Sequence, residues 1–351
     1  MKKFFMASTM TVIVLSLLLI SGCGGDKGTG TAGVGGGANL LSFLPDNASG
    51  VLTVNFAEVA KLAFFDEMIK KEESKEEGED KSEKFFKNYE DFVTKTGIDP
   101  KKDIHGVAVA LLGPFGTNDP DAVVVASLNY DKEKVMALIK QEGADKLTEE
   151  TYKDVVIHIN KDEEDKGAFA FINENIIAAG KIDGIKKVID LSKGEGQSIL
   201  TNAKMKSYID KFTGLISFVV NLPAEVKKVH DMGMAQIDLT DADVVLGHFN
   251  YINNAYTGEI SMICPNEEAN NKLVTTLNGF KGMAAMMGPE AGEVANKVNL
   301  AASSDKVSLT FDISQELIEK LGQKMKEKAQ SMAPTAPTES ETESENESET
   351  E

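Results

Sequence analysis

Along this chain, short apolar runs with strand-like spacing alternate with stretches whose apolar residues recur every three to four positions, so strands and helices are expected to alternate. Residues 51–56 read as a strand carrying Val51, Leu52, Val54 and Phe56. Asn55 stands at a helix-cap position with Glu58 three residues on, and Val59, Leu62, Phe65 and Ile69 keep one helical face apolar. Strand patterns return at 104–112 and 122–128, apolar enough for burial on both faces. Asp131 caps a predicted helix bearing Val135, Leu138 and Ile139, and 154–159 forms a further strand. Runs at 168–172 and 176–179 flank Asn173-Glu174-Asn175, a hairpin signal. Asp183 then caps a helix with Ile185, Val188, Ile189 and Leu191.

The second half repeats this order. Gly214 to Asn221 gives a strand and an Asn cap, and Ala224, Val226 and Val229 follow as a predicted helix. Strands at 242–249 and 255–264 match 104–112 and 122–128. Asn266 opens a helix with Leu273, Val274 and Leu277, matching the Asp131 helix. A hairpin over 298–302 and 307–311 precedes a last helix, capped by Ser314 and bearing Leu317, Ile318 and Leu321. Two tandem β-α-β-β-α-β-β-α repeats, at 40–200 and 201–330, predict an α+β fold with a largely antiparallel sheet and helices packed on it.

Four segments depart from this pattern. Residues 70–87 alternate Lys and Glu, as in Glu72-Glu73-Ser74-Lys75-Glu76-Glu77, and read as a solvated charged insertion. Residues 331–351 carry Pro334 and Pro337 and end in a Glu-rich run without an apolar residue, the composition of a disordered acidic tail. Residues 24–39 are rich in Gly and Thr and read as a tether. Residues 1–22 combine the basic Met1-Lys2-Lys3 with an uncharged apolar run over 9–20, too short for a membrane span of roughly 20 residues. That run ends in Ile20-Ser21-Gly22-Cys23, which resembles the lipobox of bacterial lipoproteins. The resemblance implies cleavage between Gly22 and Cys23, and a diacylglycerol thioether with further acylation on Cys23. It also implies a lipid-anchored extracytoplasmic protein of the cell envelope. Gly24, in place of the aspartate that commonly retains such proteins in the inner membrane, implies the outer membrane for a Gram-negative host.

Composition narrows the partners. The 351 residues carry a formal net charge of -19, and removing Lys2 and Lys3 with the leader takes it to -21. All 37 basic residues are Lys, so the chain has no Arg fork for bidentate phosphate or carboxylate recognition. Such an acidic body repels nucleic acid, and nucleic-acid binding is not expected. The expected partners are the membrane, through lipid on Cys23, and a protein or small-molecule ligand. With Cys23 lipidated, Cys264 has no internal disulfide partner. Cys264 ends an apolar strand and reads as a core thiol.

No pattern of catalytic residues stands out, and neither an enzyme nor a cofactor is expected. Of the four histidines, His105, His158 and His248 lie in strand-like runs and read as structural. His230, Met232 and Met234 put one imidazole and two thioethers within five residues, a soft set suited to Cu(I), with Met283, Met286 and Met287 as a second methionine group. Loop or core packing explains both groups more simply. The carboxylates over 238–243 offer a calcium alternative, but lack the glycine and terminal glutamate of an EF-hand loop. Ser303-Ser304-Asp305-Lys306 has Ser-x-x-Lys spacing, but falls in a predicted hairpin turn. A cryptic hydrolase is the enzyme alternative, and it requires histidines and carboxylates to converge near His230 and Asp238.

Phe43-Leu44-Pro45-Asp46-Asn47, Phe171-Ile172-Asn173-Glu174-Asn175 and Lys186-Lys187-Val188-Ile189-Asp190 resemble segments of duplicated α+β lipoproteins of unknown function in bacteria. The resemblance spans about residues 40–330 and implies an anchored envelope protein without a named activity. The expected work is non-catalytic binding or scaffolding through the sheet surface or between the halves.

Overall fold

The computed structural model describes residues 36–62, 65, 89–113, 121–143, 147–161, 167–223, 228–229, 237–238 and 242–332. The leader, Cys23, most of the tether, the 70–87 insertion and the 333–351 tail lie outside them.

The first half opens with a 3-10 helix, Ala38–Phe43, and strand β1, Gly50–Val54. Helices α1, Phe56–Val59, α2, Tyr89–Thr96, and α3, Pro100–Asp103, follow. Next come β2, Ile104–Leu111, β3, Ala122–Leu128, and α4, Lys132–Gly143. Two hairpins complete this half: β4, Leu147–Tyr152, with β5, Val155–Asn160, and β6, Gly167–Phe171, with β7, Ile176–Lys181. Helix α5, Ile182–Ser192, a 3-10 turn, Ile199–Thr201, and α6, Ala203–Ile209, lead into the second half.

The second half contains β8, Ile216–Asn221, the two-residue strands β9, Lys228–Val229, and β10, Ile237–Asp238, then β11, Val244–Ile252, and β12, Ala255–Ile263. Helices α7, Glu267–Met286, and α8, Pro289–Asn296, precede the hairpin of β13, Val298–Ala302, and β14, Lys306–Ser314. Helix α9, Gln315–Met332, is the last among the described residues.

All but β9 and β10 join one twelve-stranded antiparallel sheet in the order β13-β14-β12-β11-β8-β1-β2-β3-β7-β6-β5-β4. The duplication is written in that order. From the central β1–β8 pair outward, β1-β2-β3-β7-β6 on one side mirrors β8-β11-β12-β14-β13 on the other. Leu52 lies opposite Phe218 at the centre of the β1–β8 register. The β4–β5 hairpin extends the first half alone. Where a helix was expected over 224–229, Lys228–Val229 instead pairs with Ile237–Asp238 as a two-stranded ribbon.

Capping follows the sequence in part. Asp131 Oδ1 accepts from Glu133 N, and Asn266 Oδ1 from Ala269 N. Asn55 holds the N-cap of α1 without a side-chain capping bond. Helix α5 starts at Ile182, with Lys181 at its N-cap, so Asp183 lies inside the first turn and is not the cap. Gly36 and Gly37 already pack on the body, and a Cβ on Gly36 would meet the His105 carbonyl at 2.5 Å.

The strand period of two divides the sheet residues between two faces. On one face, Val51, Ala108, Ala110, Val123, Val125 and Ala178 pack under Leu40, Leu41 and Leu44 of the first 3-10 helix, Val188 of α5 and Met205 and Ile209 of α6. Helix α5 also buries Ile185 and Ile189 against Ile157, Ile159, Ala168 and Ala170. On the opposite face, Val54, Val107, Val109, Val124 and Ala126 pack against Phe56, Val59, Phe65 and Ile98. In the second half that opposite face is covered by α7, whose Ala269 and Leu273 meet Met262, Cys264 and Val307.

The halves differ in where the last helix goes. Helix α5 returns onto the first face, whereas α9 packs beside α8, where Lys320 feels Glu293 and Glu290. The physical reason lies in the strands. The positions on which α5 docks are Ala168, Ala170 and Ala178, but the equivalent hairpin of the second half presents Asn299, Ser308, Thr310 and Asp312 there. A polar surface gives an amphipathic helix nothing to bury.

Candidate functional site

That polar face, on which α9 does not dock, carries the most organised cluster among the described residues. On β11 and β12, Leu246 lies opposite Ser261 and His248 opposite Glu259; on β14, Ser308 lies opposite Ser261. All point to one side because directly opposed residues of antiparallel strands share a face. The end of α6 overhangs them with Tyr208, Lys211 and Phe212, enclosing a cleft of about 130 Å³ that also touches Lys306. A drug-sized ligand site is roughly 300–1,000 Å³. The cleft is therefore too small to swallow such a ligand and works as a notch at the edge of a wider surface.

Three donors converge on one carboxylate oxygen. Glu259 Oε1 accepts from Ser261 Oγ at 2.7 Å, Lys306 Nζ at 2.9 Å and Ser308 Oγ at 3.1 Å. Lys306 Nζ also reaches Ser261 Oγ at 3.3 Å. The Lys306 bond, followed by the Ser261 bond, holds the Glu259 carboxyl down at about 2. It is therefore ionised at neutral pH and a poor general base there, since a base works best near the operating pH. Ser261 is 4% exposed and gives its proton to a carboxylate that will not take it up. The arrangement orders a polar surface and does not activate a nucleophile.

The linkage has a definite sign. Because folding lowers this pKa from 4.5, the network stabilises the fold fully above about pH 4.5, and that contribution disappears as pH falls toward 2. Glu259→Gln should thus melt below the parent chain at neutral pH, with the two melting curves converging as pH falls through that window. A constant difference at every pH would contradict the assignment.

The other candidate residues are placed as follows. His230, Met232 and Met234 lie outside the described residues, as does Cys23. Among the described residues no group of three His, Cys, Asp or Glu side chains could hold a metal. His158 is 4% exposed, stacked on Phe169 at 4.8 Å and edge-on to Phe171, and burial pushes its pKa down. It packs within this aromatic cluster; neither ring nitrogen makes a hydrogen bond among the described residues, although Glu149 Oε1 lies 3.4 Å from Nδ1. Cys264 is a core thiol at 5% exposure. Met283, Met286 and Met287 do not fill core space; Met286 is 82% exposed. Ser303 to Lys306 forms the β13–β14 turn, with Ser303 Oγ donating to Asp305 Oδ1. Glu259, Ser261, Lys306 and Ser308 went unread as a group. The legible signal was their period-two alternation with apolar Ile260, Met262, Val307 and Leu309, which marks one polar face across two strands.

No helix among the described residues is long and apolar enough to cross a membrane. No curated protein matches the chain. Among solved structures it is similar to TP0453 in several crystal forms. Form III has a TM-score of 0.48 at 10% identity, over 79% of this chain and 95% of that one. Form I has a TM-score of 0.46 at 11% identity, over 82% and 96%. The model of a family described as proteins of unknown function matches residues 10–238. That match covers well over half of the sequence, and the chain belongs to this family, DUF3352.

Proposed function

We propose that this chain is a lipid-anchored, extracytoplasmic envelope protein that binds or scaffolds without catalysis, using the open polar face of its second half. One observation carries the binding part of the reading. The sheet face buried under α5 in the first half carries no helix over β13 and β14 among the described residues, and the polar residues beside the α6 overhang are ordered around Glu259. A face held in fixed hydrogen bonds before any partner arrives loses little side-chain entropy on binding. The envelope part rests on the basic leader and on Ile20-Ser21-Gly22-Cys23, whose thiol would carry the lipid. Several acyl chains on one residue give firm attachment where a single chain is marginal.

The test of the binding surface is site-specific photocrosslinking in intact cells. A photoreactive residue at Thr310, exposed on the open face, should give a discrete adduct, and that adduct should vanish when Ser308→Arg fills the surface beside it. The same probe at Thr275, exposed on α7 across the sheet, should give none. Equal adducts at the two positions, or none at Thr310, would remove the open face as the binding surface.

A further inference from the structure

The sheet ends in two edges of different chemistry. Strand β4 carries Glu149 and Glu150 at its centre, whereas β13 runs Val298-Asn299-Leu300-Ala301-Ala302 with no charge and no Pro. Charges and prolines are the usual devices that keep an edge from pairing with another strand. The β13 edge lacks both.

Its open hydrogen-bonding groups can be assigned. Ser303 N bonds Lys306 O at the hairpin turn, so Ala301 and Asn299 face β14, and Val298, Leu300 and Ala302 turn their N–H and C=O groups outward. The Val298 carbonyl, at the start of the strand, is taken by Lys281 Nζ from α7 at 2.7 Å, which leaves the Leu300 and Ala302 groups and the Val298 N–H for a partner. Exposed Asn299, Ala301 and Ala302 leave the strand accessible.

We propose that β13 pairs antiparallel with β13 of a second copy of this chain, about a two-fold axis through Leu300, joining two twelve-stranded sheets edge to edge. In that register Leu300 faces its own copy and Val298 faces the copy's Ala302, and the copy's Ala302 N–H takes the place of Lys281 Nζ on the Val298 carbonyl. Val298, Leu300 and Ala302 continue the apolar face, and Asn299 meets Ala301 on the other. Lys297 falls opposite the copy's Ser303, within the same turn as Asp305, so opposite charges meet at both ends. The second edge is less suited, because the central registers of β4 with itself set Glu149 or Glu150 directly against its own copy, which is destabilising. Pairing through β13 alone closes as a dimer and leaves no growing filament. Five residues per strand make a small interface, so the dimer is weak and its formation depends on concentration. The pairing uses backbone groups of the body and does not depend on the lipid.

Disulfide trapping tests it on the purified full chain. Hydrogen-bonded residues opposed across an antiparallel pair have Cα atoms about 5.5 Å apart, within disulfide reach. Leu300→Cys should therefore give a reducible band of twice the chain mass under mild oxidation. The parent chain, which keeps Cys23 and buried Cys264, should not. Adding Ala302→Pro to Leu300→Cys should abolish the band, since it removes an outward N–H; its unchanged thermal melt would show that the β13–β14 ladder survives. Glu150→Cys on the other edge should stay monomeric. No dimer from Leu300→Cys, a dimer that persists with Ala302→Pro, or equal trapping through Glu150→Cys would overturn the proposal.

Discussion

Phe56→Ala should lower the unfolding free energy of the chain by about 3–5 kcal/mol, the usual cost of emptying a buried aromatic site. Phe56 is 2% exposed and meets Phe65, itself fully buried, edge to face at 5.5 Å. The two rings sit with Val59, Ile98, Val107 and Val109 in the cluster that closes the far face of the first half. Helix α1 is a single turn and cannot collapse into the space its own aromatic leaves. A chain of this size shifts in melting temperature by about 1–2 °C per kcal/mol, so a loss of this size should still be plain in a thermal scan and in denaturant midpoints. Met286→Ala is the matched comparison. Its side chain is 82% exposed, and surface substitutions usually stay within about 0.5 kcal/mol. A loss below about 1 kcal/mol for Phe56→Ala would contradict the packing described for this face.

Much of the fold was legible because its central strands are buried on both sides. Val123, Val124 and Val125 are all nearly inaccessible, and burial on both faces writes an unbroken apolar run into the sequence. The same pattern marks β2 and β7, while the second-half strands are legible from alternation and hairpin turns, and the sheet order agrees with the duplication read from them. Edge strand β4 was missed because Leu147-Thr148-Glu149-Glu150-Thr151-Tyr152 lacks an apolar face; charge on an edge protects it and also disguises it. Phe56 was read as the end of a strand, yet it opens helix α1. Ending the strand two residues earlier, at Val54, turns a strand residue into the anchor of a core cluster.

The site was less legible for a different reason. Glu259 and Ser308 lie 49 residues apart in the chain, and they meet with Ser261 and Lys306 only because β12 and β14 pair in one register. Whether that face stays open depends on α9, whose sequence order matches α5 but whose docking does not. Periodicity shows that a helix is amphipathic; it does not show which surface receives it. The outcome is set by the alanines on β6 and β7 and by the hydroxyls and carboxylate at the equivalent positions of the second half.

Cys23→Ser should have the largest functional effect, releasing the chain from the membrane. Membrane attachment through acyl chains gains about 0.8 kcal/mol per buried CH₂, so removing every chain at once leaves the acidic body with nothing comparable to hold it. The net charge of -19 opposes rather than replaces that attachment on an anionic surface. The direct measurement is metabolic labelling with radioactive palmitate, followed by fractionation of cells expressing the parent chain or Cys23→Ser. The parent should incorporate label and sediment with membranes, whereas Cys23→Ser should carry no label and appear in the soluble fraction. Equal labelling and unchanged membrane association of Cys23→Ser would contradict the claim that this residue anchors the protein.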